Sequence, residues 1–404
     1  GLLLCWSVMR YAASQSVGEV SIMLVMAAMV GGYMAMNIGA NDVANNVGPA
    51  VGARALTLGS ALVIAATFEV AGAIIAGGEV VGTIRNGIID PNLIPDTDTF
   101  VWIMMSALIA GALWLNIATA VGAPVSTTHS IVGAVLGGGI AASGFDIVNW
   151  STMGGIAASW VVSPVLGGIV AAAFLYLIKR SITYKADMMG AARQVVPWLV
   201  AAMAMVFSVY LSQKGLNQIV KVSLLQAAMI GAIVAVGVFA LVRWQVKQPK
   251  NLLLEGKQGV NSLFTVPLIF AAALLSFAYG SNDVANAIGP LAAIVDVYTA
   301  HPGQFGTSAS IPLWVMMIGA LGIAIGLALF GPKVIRTIGS GITELDQMRA
   351  FCIAMAATLT VIIASQMGLP VSSTHIAVGG VFGVGFLREY LKKNYDRMVS
   401  EIKE

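Results

Sequence analysis

Two short polar motifs each occur twice in this otherwise apolar chain, once in each half. Residues 39–50 read GANDVANNVGPA and residues 280–291 read GSNDVANAIGPL, whereas residues 122–133 read GAPVSTTHSIVG and residues 368–379 read GLPVSSTHIAVG. The order of the motifs is the same in both halves. Polar side chains in apolar surroundings are unfavourable unless they are paired or functional. The duplication therefore predicts one functional site that is shared by two structural repeats.

The composition indicates a membrane protein. Of the 404 residues, 58% are hydrophobic and only 10% are charged, and the mean hydropathy is +0.89. Soluble domains carry about 25% charged residues. Apolar runs such as 156–178, 222–242 and 312–330 approach the roughly 20 residues that a spanning helix needs. We predict an all-α, multi-pass protein of the cell membrane. The net charge of +3 lies in loops and indicates no nucleic-acid partner.

The chain divides into two repeats and a linking region. A third similarity supports the repeats, since VGTIRNGI at 81–88 resembles IRTIGSGI at 335–342. We predict an unassigned N-terminal segment (1–19), a first repeat (20–145), linking helices with basic loops (146–258), a second repeat (259–390) and a charged tail (391–404). Weakly similar repeats with matching broken segments are typical of secondary transporters.

Glycine and proline interrupt the apolar pattern at matching places in both repeats. Segments 122–145 and 368–387 predict two re-entrant helical hairpins, which enter the membrane partway and turn back. The signature segments 39–54 and 280–297 also contain glycine and proline, and we expect them to break helices. The helix count leaves open whether the repeats are parallel or inverted.

Basic loops predict the orientation. Lys179, Arg180, Lys185 and Arg193 lie in one loop, and Arg243, Lys247, Lys250 and Lys257 lie in another. Two predicted helices separate these loops, so both face the same side. The positive-inside rule makes that side cytoplasmic.

The signature motifs offer hard oxygen ligands. Each aspartate follows one asparagine and precedes another by three residues, in the triplets Asn41–Asp42–Asn45 and Asn282–Asp283–Asn286. Carboxylate and amide oxygens suit a small cation, and backbone carbonyls at a helix break would complete its shell. The same carboxylates could instead bind a proton, cap a helix or pair with arginine.

The second motif predicts an anion site. Its hydroxyl side chains follow a proline at the predicted start of a helix, and they are Ser126, Thr127, Thr128, Ser372, Ser373 and Thr374. As an isolated pattern, such a cluster indicates helix capping. Two such helix starts that meet in the membrane would surround a tetrahedral oxyanion with hydroxyl and backbone N–H donors.

Three further polar residues are predicted to support the site. His129 and His375 occupy matching positions and could brace the hairpins, carry protons or bind the anion, and bracing is the favoured interpretation. Glu69 lies within an apolar helix and is either a site residue or a carboxylate held by a neighbouring helix. His301 has no counterpart, and Arg85 lies near a span end, where it could extend to the interface.

These motifs resemble those of the inorganic phosphate transporter (PiT) family, and the resemblance covers about residues 20–390. It implies inverted repeats, two hairpins and a non-enzymatic function, namely secondary active import of phosphate with sodium by alternating access. The implied sodium ligands are Asn41, Asp42, Asn282 and Asp283. The implied phosphate ligands are Ser126, Thr127, Thr128, Ser372, Ser373 and Thr374, with Asn45 and Asn286.

The first signature reads Asn-Asp-Val and so resembles the sodium-coupled branch, because proton-coupled bacterial members tend to carry His-Asp-Thr there. Ala354 stands where some members carry Glu, and a role that depends on that Glu would be absent. No cofactor is expected besides the transported ions.

Several other functions remain alternatives. A proton-coupled phosphate permease or a sulfate permease of the same fold is the nearest one. An intramembrane aspartyl protease also needs two buried aspartates, but neither Asp42 nor Asp283 lies in a Gly-x-Gly-Asp motif. A channel would not need matched cation and anion sites. The sequence leaves open a homodimer, the ion stoichiometry and the protonation state of phosphate.

Overall fold

The structure is a computed structural model that describes residues 22–123, 125–216, 220–248, 255–299, 311–339 and 345–394. These ranges contain fourteen α-helices, which are α1 (Ile22–Gly52), α2 (Leu58–Ala76), α3 (Gly78–Asn86), α4 (Thr97–Ala120), α5 (Thr127–Ser143), α6 (Trp150–Ile178), α7 (Met188–Lys214), α8 (Leu224–Val246), α9 (Gly256–Leu263), α10 (Thr265–Asp283), α11 (Ala285–Thr299), α12 (Leu313–Gly339), α13 (Gln347–Gln366) and α14 (Ser373–Lys393). His301 and Cys5 lie outside the described residues.

The prediction of an all-α membrane protein is confirmed. Nine helical stretches within the described ranges are long and apolar enough to cross a membrane. Helix α5 is not among them, because its 17 residues are only about 25 Å long. Within the same ranges, the β-structure amounts to an isolated bridge between Ile89 and Val148.

Polar N-caps mark many of the helix starts. Asp96 accepts a hydrogen bond from the Thr99 backbone N–H (2.7 Å) where α4 begins, and this bond lowers the pKa of the exposed Asp96 carboxyl below its ordinary value. At the start of α8, Ser223 and Gln226 form a reciprocal capping box. These caps lie at the ends of the spans, where orphan N–H groups need partners.

The expectation that both signatures break their helices is wrong for the first signature. Residues 39–52 continue α1 without interruption, since Pro49 lies in the last turn, where few backbone hydrogen bonds remain to be lost. The second signature is interrupted only at Val284, between α10 and α11, and Val284 keeps helical dihedral angles (φ −57°, ψ −31°).

The chain reverses at the first residues of each Gly-rich segment rather than in its middle. Segments 122–145 and 368–387 were expected to turn back on themselves, but each of the helices α5 and α14 is uninterrupted. The reversals lie between α4 and α5 and between α13 and α14, and the two helices of each pair pack together. Gly122 (φ +74°) and Gly368 (φ +66°) occupy matching positions in these turns, where the left-handed backbone favours glycine.

Helices of one repeat cross helices of the other with their backbones in contact. A Cβ on Gly39 of α1 would lie 2.0 Å from the Ile323 carbonyl oxygen of α12, and one on Gly326 would lie 1.9 Å from the Met36 carbonyl oxygen. Only glycine permits so close an approach. The first repeat is therefore anchored on the second through α1 and α12.

The matching crossing joins α10 to α2. A Cβ on Gly280 would lie 2.1 Å from the Glu69 carbonyl oxygen, and one on Gly72 would lie 2.0 Å from the Phe277 carbonyl oxygen. Gly280 is the motif counterpart of Gly39. The alignment of 81–88 with 335–342 likewise makes Gly72 and Glu69 the counterparts of Gly326 and Ile323. The two crossings thus repeat one geometry.

Arg85 does not extend to the interface as expected. It is buried on α3 and forms an ion pair with Asp296 of α11. An unpaired buried guanidinium would be unfavourable, so the pair fixes α3 against α11.

Replacing Gly326 with alanine should destabilise the protein, because the new Cβ would meet the Met36 backbone, which cannot move aside as a side chain can. We expect a loss of about 1–3 kcal/mol, measured as a lower thermal midpoint of the purified protein in detergent. Gly137→Ala on α5 is the matched control, since nothing lies within 4 Å of its Cβ position. Equal midpoints for the two variants would contradict the backbone contact.

Candidate functional site

The asparagine of the second signature holds the turn between α13 and α14. Asn282 Nδ2 donates to Ser365 Oγ (3.0 Å) and to the Leu369 carbonyl oxygen (3.1 Å), and Asn282 Oδ1 accepts from the Val371 backbone N–H (3.3 Å). These bonds satisfy backbone groups of the partly exposed chain reversal that leads into α14.

Asn41 does the same for the turn between α4 and α5. Its Nδ2 atom donates to Thr119 Oγ1 (3.1 Å) and, more weakly, to the Ala123 carbonyl oxygen (3.5 Å). Thr119 and Ala123 are the motif counterparts of Ser365 and Leu369. Each signature therefore fixes the hairpin of its own repeat.

The second asparagine of each signature reaches the hairpin of the opposite repeat. Asn45 Nδ2 donates to Thr374 Oγ1 (2.8 Å), and Asn286 Nδ2 donates to Thr128 Oγ1 (3.1 Å) and Thr127 Oγ1 (3.2 Å). The two turns are also joined directly. Thr128 Oγ1 donates to the Val371 carbonyl oxygen at 2.9 Å.

The N-termini of α5 and α14 consequently meet at the centre. Ser126 Oγ and Ser372 Oγ accept hydrogen bonds from the backbone N–H groups of His129 and His375 (3.1 and 3.2 Å), so the capping interpretation of these two serines is correct. The backbone N–H groups at the first two positions of each helix have no carbonyl partner within that helix. Together with the two positive helix ends, they form an electropositive junction.

Three buried carboxylates lie beside this junction. Asp42 accepts a hydrogen bond from Thr127 Oγ1 (3.1 Å), and Glu69 accepts one from Asn46 Nδ2. Asp42 and Glu69 both lie close enough to Asp283 to repel its charge. No salt bridge found in the described ranges involves these carboxylates, and Asp42 lies in the interior of α1. Within the described ranges, Asp42 therefore neither pairs with arginine nor caps a helix.

Five buried oxygen atoms of the signatures accept no hydrogen bond of standard geometry within the described part of the chain. They are Asn41 Oδ1, Asp42 Oδ1, Asp283 Oδ1, Asp283 Oδ2 and Asn286 Oδ1. Unpaired acceptors and uncompensated carboxylates in a buried volume are a suitable environment for cations.

Sequence reasoning missed the group that holds Glu69. Ser276 Oγ donates to Asn46 Oδ1 (2.7 Å), and Asn46 in turn donates to Glu69. Asn46 belongs to the first signature only, since Ala287 is its counterpart, and Ile323 is the counterpart of Glu69. The site is therefore asymmetric in charge although its hairpin contacts are symmetric.

The two histidines face one another and α6 rather than the carboxylates. The His129 ring centroid lies 3.8 Å from that of Trp160 and 4.8 Å from that of His375. His129 is partly buried and His375 is exposed on the protein surface. This arrangement supports a bracing role between the two hairpins.

Three side-chain donors that the sequence did not reveal hold the backbone of the second turn. Thr83 Oγ1 donates to the Gly368 carbonyl oxygen (2.6 Å), Trp160 Nε1 to that of Pro370 (3.1 Å) and Tyr279 Oη to that of Ser373 (3.1 Å). The first repeat has Ile38 in place of Tyr279, which cannot make this bond. A tyrosine in an apolar helix is typical of a packing residue, so this hydrogen bond could not be predicted from the sequence.

Paired hairpin turns around a buried polar centre are typical of secondary transporters. The sequence profile of the Phosphate transporter family matches residues 38–402. The chain belongs to the phosphate transporter family, and it is a multi-pass membrane protein.

Individual relatives agree with this assignment. A protein of Helicobacter pylori J99 named "Putative phosphate permease" is 54% identical over 384 residues, which cover 95% of this chain and 72% of the relative. A Haemophilus influenzae protein of the same name is 39% identical over 89% of this chain and 87% of the relative. A solved structure titled "The sodium-dependent phosphate transporter" aligns with a TM-score of 0.85 at 35% identity, covering 95% of this chain and 93% of that one.

Replacing Tyr279 with phenylalanine should loosen the second turn. The Ser373 carbonyl would lose its donor, and a hydrogen bond of about 1 kcal/mol corresponds to about fivefold in a local opening equilibrium. We expect amide hydrogen exchange to rise by about this factor in peptides covering 368–376 and to stay unchanged in 120–130. Tyr33→Phe, at an exposed position on α1, is the control. Unchanged exchange in 368–376 would refute the bracing role of Tyr279.

Proposed function

We propose that this protein imports inorganic phosphate together with Na⁺ by alternating access. The observation that carries the proposal is the set of five unpaired acceptor oxygens and three uncompensated carboxylates beside two converging helix N-termini. The similarity to a protein titled as a sodium-dependent phosphate transporter supports the choice of cation.

The cation ligands are Asn41, Asp42, Asn282 and Asp283. Asn41 Oδ1, Asp42 Oδ1 and both Asp283 oxygens are unpaired, so a bound Na⁺ would take them without disturbing the turns. Asn282 Oδ1 would be shared with the Val371 backbone N–H. Glu69 adds a third negative charge on one side only. Cation binding relieves the repulsion among the carboxylates, which is strong in a low-dielectric interior.

The phosphate donors are the first turns of α5 and α14. The hydroxyls of Thr127, Thr128 and Thr374 now donate to Asp42 and to backbone carbonyls of the opposite turn. Phosphate oxygens would replace these acceptors, while Ser126 and Ser372 keep capping their helices. The amide groups of Asn45 and Asn286 reach the same hydroxyls and orient them. Ser373 supplies the remaining hydroxyl.

Sodium is needed for charge balance. Moving a phosphate dianion inward against ~100 mV, inside negative, requires roughly 4.6 kcal/mol at about 2.3 kcal/mol per charge. Two Na⁺ would cancel the charge, and a third would let the membrane potential drive import. Because each ligand then favours the binding of the other, the two affinities are reciprocally coupled.

The packing favours motion of the hairpins over rocking of whole repeats. The α1–α12 and α10–α2 crossings join the repeats through backbone contacts, which a rigid rotation of one repeat would separate. The hairpin turns are held mainly by side-chain hydrogen bonds to the signatures. Exchange of these bonds with bound ions would let each hairpin move in turn.

Sodium coupling can be measured in proteoliposomes. We expect phosphate uptake to be driven by an inward Na⁺ gradient and to fall at least about tenfold with K⁺ or choline outside, because the unpaired oxygens need a small hard cation. Unlabelled sulfate should not compete. Equal uptake in all three salts would exclude sodium coupling, uptake driven by a proton gradient would favour the proton-coupled alternative, and competition by sulfate would favour the sulfate permease.

Neutralising a signature carboxylate should abolish transport without unfolding the protein. Asp42→Asn and Asp283→Asn keep the side-chain shape but remove one charge from the cation site, and we expect uptake to fall by about tenfold or more. Asp98→Asn, at an exposed position of α4, should behave like the unchanged protein. Wild-type rates in both signature variants, with normal elution on size exclusion, would refute the assignment.

A further inference from the structure

The two signatures are covered to different extents at matching positions. Gly289 of the second signature lies beneath α3, since a Cβ on Gly289 would be 2.6 Å from Ile84 Cβ. Its counterpart in the first signature is Gly48, which is partly exposed. A Cβ on Gly48 would meet no described residue within 4 Å. The contact of a short helix on a signature glycine is therefore made in one repeat and not among the described residues of the other.

This difference extends along the helix face that leads to the polar centre. Asn45 and Gly52 lie on the same face of α1 as Gly48, three residues before it and four after it, and both are exposed at least in part. Their counterparts on α11 are Asn286 and Ala293, and both are buried. A polar amide that faces lipid would be unfavourable. The exposed face of α1 is therefore suited to a water-filled entrance.

Two matching helices differ in the same way. In the first repeat, α2 ends at Ala76, Gly77 follows, and α3 begins as a separate helix. In the second repeat, α12 continues without interruption through Gly331, the counterpart of Gly77, and through Pro332. A proline inside a helix removes one backbone hydrogen bond and favours a kink. One hinge is thus interrupted in the first repeat and continuous in the second.

Side-chain contacts hold α3 over the second signature. Thr83 donates to the turn between α13 and α14, and Arg85 pairs with Asp296 of α11. Glu79 forms a further ion pair with Lys214 at the end of α7 (3.0 Å). Because these contacts join α3 to three other elements, α3 closes one side of the polar centre.

The closed side and the exposed side lie at opposite surfaces of the membrane. Gln347 at the start of α13 donates to the Ala53 carbonyl oxygen beyond the end of α1 (3.4 Å). The neighbouring Met348 N–H donates to Asn261 of α9 (3.2 Å), which adjoins the second basic loop. Helix α3, in contrast, pairs with Lys214, and the 27-residue α7 separates Lys214 from the first basic loop by about 40 Å. The positive-inside rule therefore places α3 outside and the exposed end of α1 in the cytoplasm.

We propose that α3 is the outer gate of the transport pathway, that the exposed face at Gly48 is its cytoplasmic entrance, and that the end of α12 after Pro332 is the inner gate. In the opposite state, α12 is interrupted at Gly331 and its end packs over Gly48, while α3 leaves Gly289. Gating of one repeat against the other is typical of transporters with such repeats. The backbone contact of Gly326 precedes the hinge, so it is kept.

The assignment of the gates rests on the proposed transport function, but thiol labelling tests it without transport. Single cysteines are introduced into the full chain in detergent, in a Cys5→Ser background, since Cys352 is buried. We expect Gly48→Cys to react with a maleimide at least about tenfold faster than Ala293→Cys. Ile84→Ala, which shortens the side chain of the outer gate, should raise the rate of Ala293→Cys at least about fivefold.

Replacing Pro332 with alanine should hold the inner gate open. The variant restores a backbone donor and so stabilises the uninterrupted α12, which lowers the population of the opposite state. We expect Ala293→Cys to react at least about threefold more slowly and the maximal uptake rate to fall by a similar factor, with phosphate binding to the purified protein unchanged. Pro197→Ala, within α7 of the linking region, is the matched control and should change neither rate.

Two results would overturn the gates. One is equal labelling of Gly48→Cys and Ala293→Cys in properly folded protein. The other is an unchanged labelling rate of Ala293→Cys when Pro332→Ala is added. Both readouts are independent of the ions that are carried, so a failure of Na⁺-driven uptake with the expected labelling pattern would refute the proposed function and leave the gates supported.

Discussion

The central constraint on this fold is that two chain reversals lie among buried polar groups, where backbone carbonyls need donors from the protein itself. Asn41 and Asn282 supply those donors to the turns before α5 and α14. The oxygen of Asn41 accepts no hydrogen bond within the described residues, whereas that of Asn282 accepts one from the Val371 backbone N–H. The two asparagines thus stabilise the turns, and Asn41 Oδ1 remains an acceptor beside the carboxylates of Asp42 and Asp283.

The duplication gives two equivalent frameworks whose chemistry differs. The contacts of Asn45 with Thr374 and of Asn286 with Thr128 are counterparts. Glu69, however, corresponds to Ile323, and Tyr279 corresponds to Ile38. One half-site therefore has an additional carboxylate, and one turn has an additional donor. The two halves therefore differ in charge and in the restraint on their turns, although their asparagine–threonine contacts match.

The sequence predicted the class of fold, the paired motifs and the polar residues that meet, because buried Asn, Asp, Ser and Thr stand out in an apolar chain. It did not predict which asparagine reaches which hairpin, since that depends on how α1 and α10 pack. The helix breaks expected at residues 39–54 were wrong because glycine in that signature serves close packing with α12, as at Gly39. The sequence did not predict helix α3, because its short, polar segment is typical of a loop.

Because α1 packs on a helix of the other repeat, the fold can be completed only after both halves of the chain have been made. Helix α1 ends at Gly52, and its glycine-matched partner α12 begins at Leu313, about 260 residues later in the chain. At about 5–20 residues per second, ribosomes need on the order of tens of seconds for that distance. During this interval the newly made first signature has no α12 to shield it. Biogenesis must therefore tolerate a first signature that lacks its α12 contact until the second half arrives.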